Sequence, residues 1–162
     1  MALKEKAARR LCEKMQKAAI PFVFTGPWML HLRGADVSWH GFHVVVSRAD
    51  YEKTDAVLTR LGMRSPVRED PESCETHYHF DGADICLYAG FPSPCPAYAV
   101  PESPACVIVL GTSVPLMSAE DAYAIAALTG RDTAMFSAYF AAHPFDPSAL
   151  SSSLSAADFP MP

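Results

Sequence analysis

Apolar positions along the chain switch between two periods, and the switches mark its elements. Residues 3–19 set Ala8, Leu11, Cys12, Met15 and Ala19 at helical spacing with lysines and arginines opposite, which predicts an amphipathic first helix. Such a basic helix either covers one side of a core or lies on a membrane or a partner. "PFVFTG" (21–26) predicts a short buried strand, and Pro27 suits the first turn of the helix after it. "FHVVVS" (42–47), rich in β-branched residues, predicts a second buried strand. "RADYEKTDAVLTRLG" (48–62) predicts a helix with Tyr51, Val57, Leu58 and Leu61 inward and Gly62 as its stop.

An acidic loop, "REDPESCE" (68–75), then leads to two strands, "THYHF" (76–80) and "ADICLYAG" (83–90), joined around Asp81-Gly82, a strong hairpin signal. "FPSPCPAYAVPESP" (91–104) carries five prolines and predicts irregular chain along the surface. "ACVIVLG" (105–111) predicts a fifth strand. Ser118-x-x-Asp121 opens a helix that Gly130 closes, and a second helix over 131–143 stops at Pro144. The elements define one domain over 1–145, followed by a Ser/Ala/Pro-rich tail over 146–162, held in place by the body or by a neighbouring chain. There is no internal repeat.

Composition narrows the class. The chain has 162 residues, enough for a buried core, with 50% hydrophobic and 19% charged positions, a globular balance. A net charge of -5 argues against a nucleic-acid partner held by the overall field. The five cysteines are scattered with no C-x-x-C pair, which predicts reduced thiols and, with no apolar run of roughly 18 residues and no signal-peptide core, a cytoplasmic protein without a membrane role.

The succession of elements, with "GPWMLHLRG" (26–34), "ADICLYAG" (83–90) and "VPLMSAEDAYAIAALTGRDTAMFSAYF" (114–140), resembles the nucleotidyltransferase superfamily of polymerase-beta-like fold. It is similar in particular to small bacterial members related to abortive-infection and toxin systems. Gly26, Gly34, Asp84 and Gly130-Arg131 carry the likeness, which is collinear from residue 14 to about 140. The resemblance implies an α/β (α+β) fold, a small mixed twisted sheet flanked by helices. It also implies a phosphate-receiving turn at Gly26 and Pro27, with Arg33 and Arg131 as candidate phosphate contacts or as helix-end charges.

That family's reaction needs two divalent ions held by three carboxylates, two of them as Asp-x-Asp on one strand. The corresponding positions hold Gly41 and His43, and of the three only Asp84 is acidic. The lysine expected in the last block falls at Ala126, and the following Lys-Asp falls at Thr133 and Ala134. Asp36 and Asp81 read as turn residues rather than replacements. Magnesium-dependent transfer is therefore not expected. Five of the six histidines border the old site, and His43, His79 and Asp84, with Cys86 near, would suit zinc better than magnesium; equally, they are strand histidines bonded to backbone or water. Trp28, Trp39 and Phe42 either stack on a base or line the core. The expected function is a pseudoenzyme serving as a binding module for a protein partner, a second copy of the chain, a nucleotide or a metal. The alternative is metal-dependent phosphoester hydrolysis or transfer at a rebuilt His/Asp site.

Overall fold

The computed structural model describes residues 2–65, 68–69, 73–92, 95 and 98–162. Helix α1 (Ala2–Lys17) is followed by β1 (Val23–Thr25), α2 (Gly26–Leu32), β2 (Gly41–Val46) and α3 (Tyr51–Thr59). Two-residue strands β3 (Met63–Arg64) and β4 (Arg68–Glu69) lead to the long hairpin β5 (Cys74–Phe80) and β6 (Ala83–Ala89). A second hairpin, β7 (Ala105–Val109) and β8 (Thr112–Leu116), precedes α4 (Ala119–Leu128) and α5 (Ala134–Ala142). The strands form one mixed sheet in the order β3-β5-β6-β2-β1-β8-β7, with β4 beside β5. β2 runs parallel to β6 and β1 parallel to β8, and the hairpin pairs are antiparallel.

Strand alternation divides the sheet into a buried face and a working face. Phe24, Phe42, Val44, Ile85, Leu87, Thr76 and Tyr78 are buried on the first, where α1 contributes Leu11 and Met15. Trp28 of α2 joins them at 4.8 Å from Phe24 and 4.6 Å from Phe42, edge-on, the geometry that the ring quadrupoles favour. Trp28 and Phe42 are thus core residues, not a stacking platform for a base. The Tyr51 hydroxyl meets buried Thr76 at 3.1 Å, and the Tyr78 hydroxyl donates to Asp55 at 2.6 Å, tying α3 to β5.

Several expected boundaries shift, each for a local reason. α1 ends at Lys17, and Ala19, expected on its inner face, is exposed with φ 52° in the turn that lets Ile20 enter the core. α3 ends at Thr59 and the Gly62 amide closes its last turn on the Leu58 carbonyl at 3.2 Å; Gly62 also lies beside the β5 backbone, where a Cβ would collide with the His79 carbonyl oxygen. The stretch expected as an acidic loop contains β4 and the first two residues of β5. β8 was not expected because Pro115 breaks its reading as a strand; it pairs with Cys106 in the β7–β8 ladder. The Asp81-Gly82 turn forms as expected, with φ 50° and 72°, and Asp81 pairs with Arg10 at 2.9 Å.

The described residues between 91 and 104 contain no helix or strand; residues 93, 94, 96 and 97 of that segment lie outside the described residues, as do 70–72 of the acidic stretch. Residues 146–162 run back along α4. The Ser151 amide donates to Asp121 at 2.7 Å, the Tyr123 hydroxyl donates to the Pro160 carbonyl at 2.7 Å, and Phe159 is buried against Tyr123 and Phe145. Among the described residues, no helix is long and apolar enough to cross a membrane.

Candidate functional site

The working face carries the polar side chains of the central strands. The parallel pairing of β2 with β6 sets Gly41 opposite Asp84 and His43 opposite Cys86, while β5 sets His79 opposite Asp84, His77 opposite Cys86 and Glu75 opposite Tyr88. Every one of these residues therefore points to the same side, as the two-residue hairpin loop requires. The positions that resemble the family's three carboxylates, Gly41, His43 and Asp84, do share one face.

Two of these three positions carry no carboxylate. Gly41 has no side chain to offer, and no room for one. A Cβ there would approach the Asp84 carbonyl oxygen closer than 3.0 Å, a separation that real Cβ atoms essentially never show, and would stand 3.2 Å from the Asp84 Cβ. His43 rests against Gly26, where an added Cβ would stand 3.1 Å from its ring. Its Nδ1 lies 3.3 Å from the Tyr88 hydroxyl. Burial, and then the charge of Arg131, holds the His43 pKa below the usual histidine value, so the ring is neutral at pH 7. Asp84 is largely exposed and accepts from or pairs with His79, with Oδ1 and Nδ1 at 2.7 Å.

A cleft of about 210 Å³ opens beside the Gly26 turn. Thr25, Gly26, His43 and Tyr88 form its floor, Ile125, Ala126 and Met135 of the last two helices its far wall, and Arg131 and Asp132 its polar rim. β8 and α4 reach this place because β8 pairs with β1 (Phe24 opposite Leu116), the Met117 amide donates to the Phe24 carbonyl at 2.9 Å, and Ser118 then caps α4 by accepting from the Asp121 amide. Ala126, where the resemblance expects lysine, leaves the wall apolar. Arg131 lies over the Tyr88 ring with its guanidinium carbon 4.3 Å from the centroid, and it donates to Glu75 Oε2 at 3.4 Å.

Of the candidate phosphate contacts, Gly26 and Arg131 line this cleft. Pro27 sits in the first turn of α2, where it removes one backbone donor. Arg33 lies elsewhere: it donates to the Met117 carbonyl at 2.8 Å and lines a separate cavity of about 430 Å³ with Ser118, Asp121 and the serines at 151–153. Of the candidate metal ligands, His79 and Asp84 touch, while His43 is engaged with Tyr88. Among the described residues, the three ligating atoms that gather within 4.8 Å of one another belong to Glu75, His77 and Cys86. Glu75 was missed because its acidic surroundings read as loop. The alternation Cys74-Glu75-Thr76-His77-Tyr78-His79-Phe80, apolar or small inward and polar outward, is the signal that would have placed it on the strand.

No protein-family model matches the chain, and no curated protein sequence does. Solved structures do. A Thermotoga maritima protein described as a nucleotidyltransferase superposes with a TM-score of 0.57 at 14% identity over 73% of this chain and 79% of that one. ANT(2'')-Ia in complex with adenylyl-2''-tobramycin gives a TM-score of 0.52 at 15% identity over 75% of each chain. A solution structure of the same antibiotic-resistance factor gives 0.50 at 15% identity over 92% of this chain and 79% of that one. The fold is nucleotidyltransferase-like.

Proposed function

We propose that the protein is a nucleotidyltransferase-like frame that does not carry out metal-dependent nucleotidyl transfer and acts instead as a binding module. The observation that carries this reading is the Gly41–Asp84 contact: the strand position that would bear a metal-holding carboxylate is sterically closed against any side chain. Of the three positions that resemble the family's carboxylates, only Asp84 supplies one, too few to hold two magnesium ions that keep near-octahedral shells. Neutral His43 beside Gly26 adds no charge to steady a triphosphate.

The cleft favours a small group. Its volume lies below the roughly 300–1,000 Å³ of sites for drug-sized ligands, and its walls are apolar with a single cation, Arg131, at the rim. That arrangement suits one aromatic or branched apolar group carrying an acceptor or anionic end, such as an anchoring side chain of a protein partner. Two measurements test the reading. Incubation with α-labelled nucleoside triphosphates, magnesium or manganese and bacterial lysate should leave protein, RNA and small molecules unlabelled above an Asp84→Asn control. Aromatic carboxylates should perturb backbone resonances around Tyr88, Ile125 and Met135; labelled product, or perturbations elsewhere, would overturn it. The alternative of phosphoester chemistry draws its support from the His79–Asp84 pair and predicts hydrolysis of nitrophenyl phosphates that is lost in His79→Ala.

A further inference from the structure

We propose that Glu75, His77 and Cys86 bind one divalent ion of the zinc class, with three protein ligands and a fourth position left for water or a ligand. The three ligating atoms already stand at the corners that such an ion requires. His77 Nε2 is 3.0 Å from Glu75 Oε1, Cys86 Sγ is 3.7 Å from His77 Nε2, and Cys86 Sγ is 3.8 Å from Glu75 Oε1. A tetrahedral zinc with Zn–S of about 2.3 Å and Zn–N and Zn–O of about 2.0–2.1 Å has ligand–ligand edges of roughly 3.3 Å between nitrogen and oxygen and roughly 3.6 Å to sulfur. The observed triangle matches within about 0.3 Å, so closing it on an ion needs side-chain adjustment only.

Three further features support the site. The ligands come from paired positions on two strands of one hairpin, with His77 directly opposite Cys86, which fixes their spacing by the ladder rather than by a loop. Arg131 holds the second oxygen of Glu75 at 3.4 Å, the outer hydrogen bond that orients a ligating carboxylate. Entry is open, since the His77 side chain is about half exposed while Cys86 closes the inner side. The donor set of thiolate, imidazole and carboxylate selects zinc or a similar ion over magnesium or calcium. This inference stands independently of whether the frame has lost nucleotidyl transfer.

The test is titration of metal-stripped, reduced full-length protein with zinc by calorimetry and with cobalt(II) by absorbance, where thiolate coordination gives a charge-transfer band. One equivalent should bind with that band present. His77→Ala and Glu75→Gln should each weaken binding by more than about 100-fold, since even outer hydrogen-bond partners of metal ligands are worth 10–100-fold. His79→Ala and exposed Cys106→Ser should leave the affinity within twofold. Cys86→Ser should abolish the band; if buried Cys86 proves needed for folding, the surface variant His77→Ala decides alone. No uptake at one equivalent, affinity unchanged in His77→Ala, or a band that disappears in Cys106→Ser would each overturn the proposal.

Discussion

Gly41→Ala separates a closed carboxylate position from one merely vacated. Gly41 is not among the residues with positive φ, so alanine fits its backbone conformation. With free space around it, the substitution would stabilise the protein by about 0.4–1 kcal/mol by reducing unfolded-state entropy. The contact with the Asp84 backbone reverses the sign. Backbone cannot swing aside like the end of a side chain, and overpacking of this kind costs about 1–3 kcal/mol. Gly41 opens β2, so the preceding loop can yield somewhat, which leaves a net loss of about 1–2 kcal/mol. For a chain of this size that is a fall of about 2–8 °C in melting temperature. Urea and thermal unfolding read it directly, and Gly41→Asp should fall further, because it adds a charge beside Asp84. An alanine variant as stable as the parent, or more stable, would refute the reasoning.

Three other outcomes follow from the same geometry. Burial raises the pKa of Asp121, so its contribution to stability is full below the ordinary carboxyl value of about 3.9 and is lost as pH rises through the raised folded value; Asp121→Asn, which can still accept from Ser151, should therefore gain stability relative to the parent as pH climbs from 3 to 6, measured by melting in parallel buffers. Arg131 is one of the causes that depress His43, so Arg131→Met should raise the His43 midpoint measured from ring proton shifts, and an unchanged or lower midpoint would contradict the assignment. Phe159→Ala should release the C-terminal segment rather than unfold the domain: a loss of roughly 2 kcal/mol in docking makes cleavage between 151 and 155 on the order of thirtyfold faster with little change in the main melting transition.

The sheet and its site were legible in unequal measure. Central strands with dense β-branched or alternating residues, such as 42–46 and 76–80, declare themselves because two-period patterning and burial agree. The Asp81-Gly82 turn then fixed the register, and with it the common face of His77, His79, Asp84 and Cys86. The parallel neighbour of β6 is β2, a long-range pairing that no local pattern encodes and that only the family resemblance suggested. β8 stays hidden because Pro115 interrupts its pattern; Pro115 stands opposite Cys106 of β7, while the pairing of β8 with β1 is at Leu116. Glu75 stays hidden because composition in 68–75 outweighs alternation, so the sequence offers His43, His79 and Asp84 as candidate ligands, whereas among the described residues the ligating atoms that lie within 4.8 Å of one another are those of Glu75, His77 and Cys86. Arg33 and Arg131 were indistinguishable as charges at helix ends; only the path of the chain sends one to the cleft and the other to the Met117 carbonyl.

The proposal that this frame does not bind triphosphate through metal is tested most directly by the melting temperature of metal-stripped protein with each nucleoside triphosphate, with and without magnesium. A ligand at about a hundred times its dissociation constant adds about 2.7 kcal/mol, several degrees for this chain. The expected result is no magnesium-dependent shift with any triphosphate. A shift that requires both magnesium and a triphosphate, and that disappears in Asp84→Asn, would show that a working metal–nucleotide site survives on the face of β2 and β6.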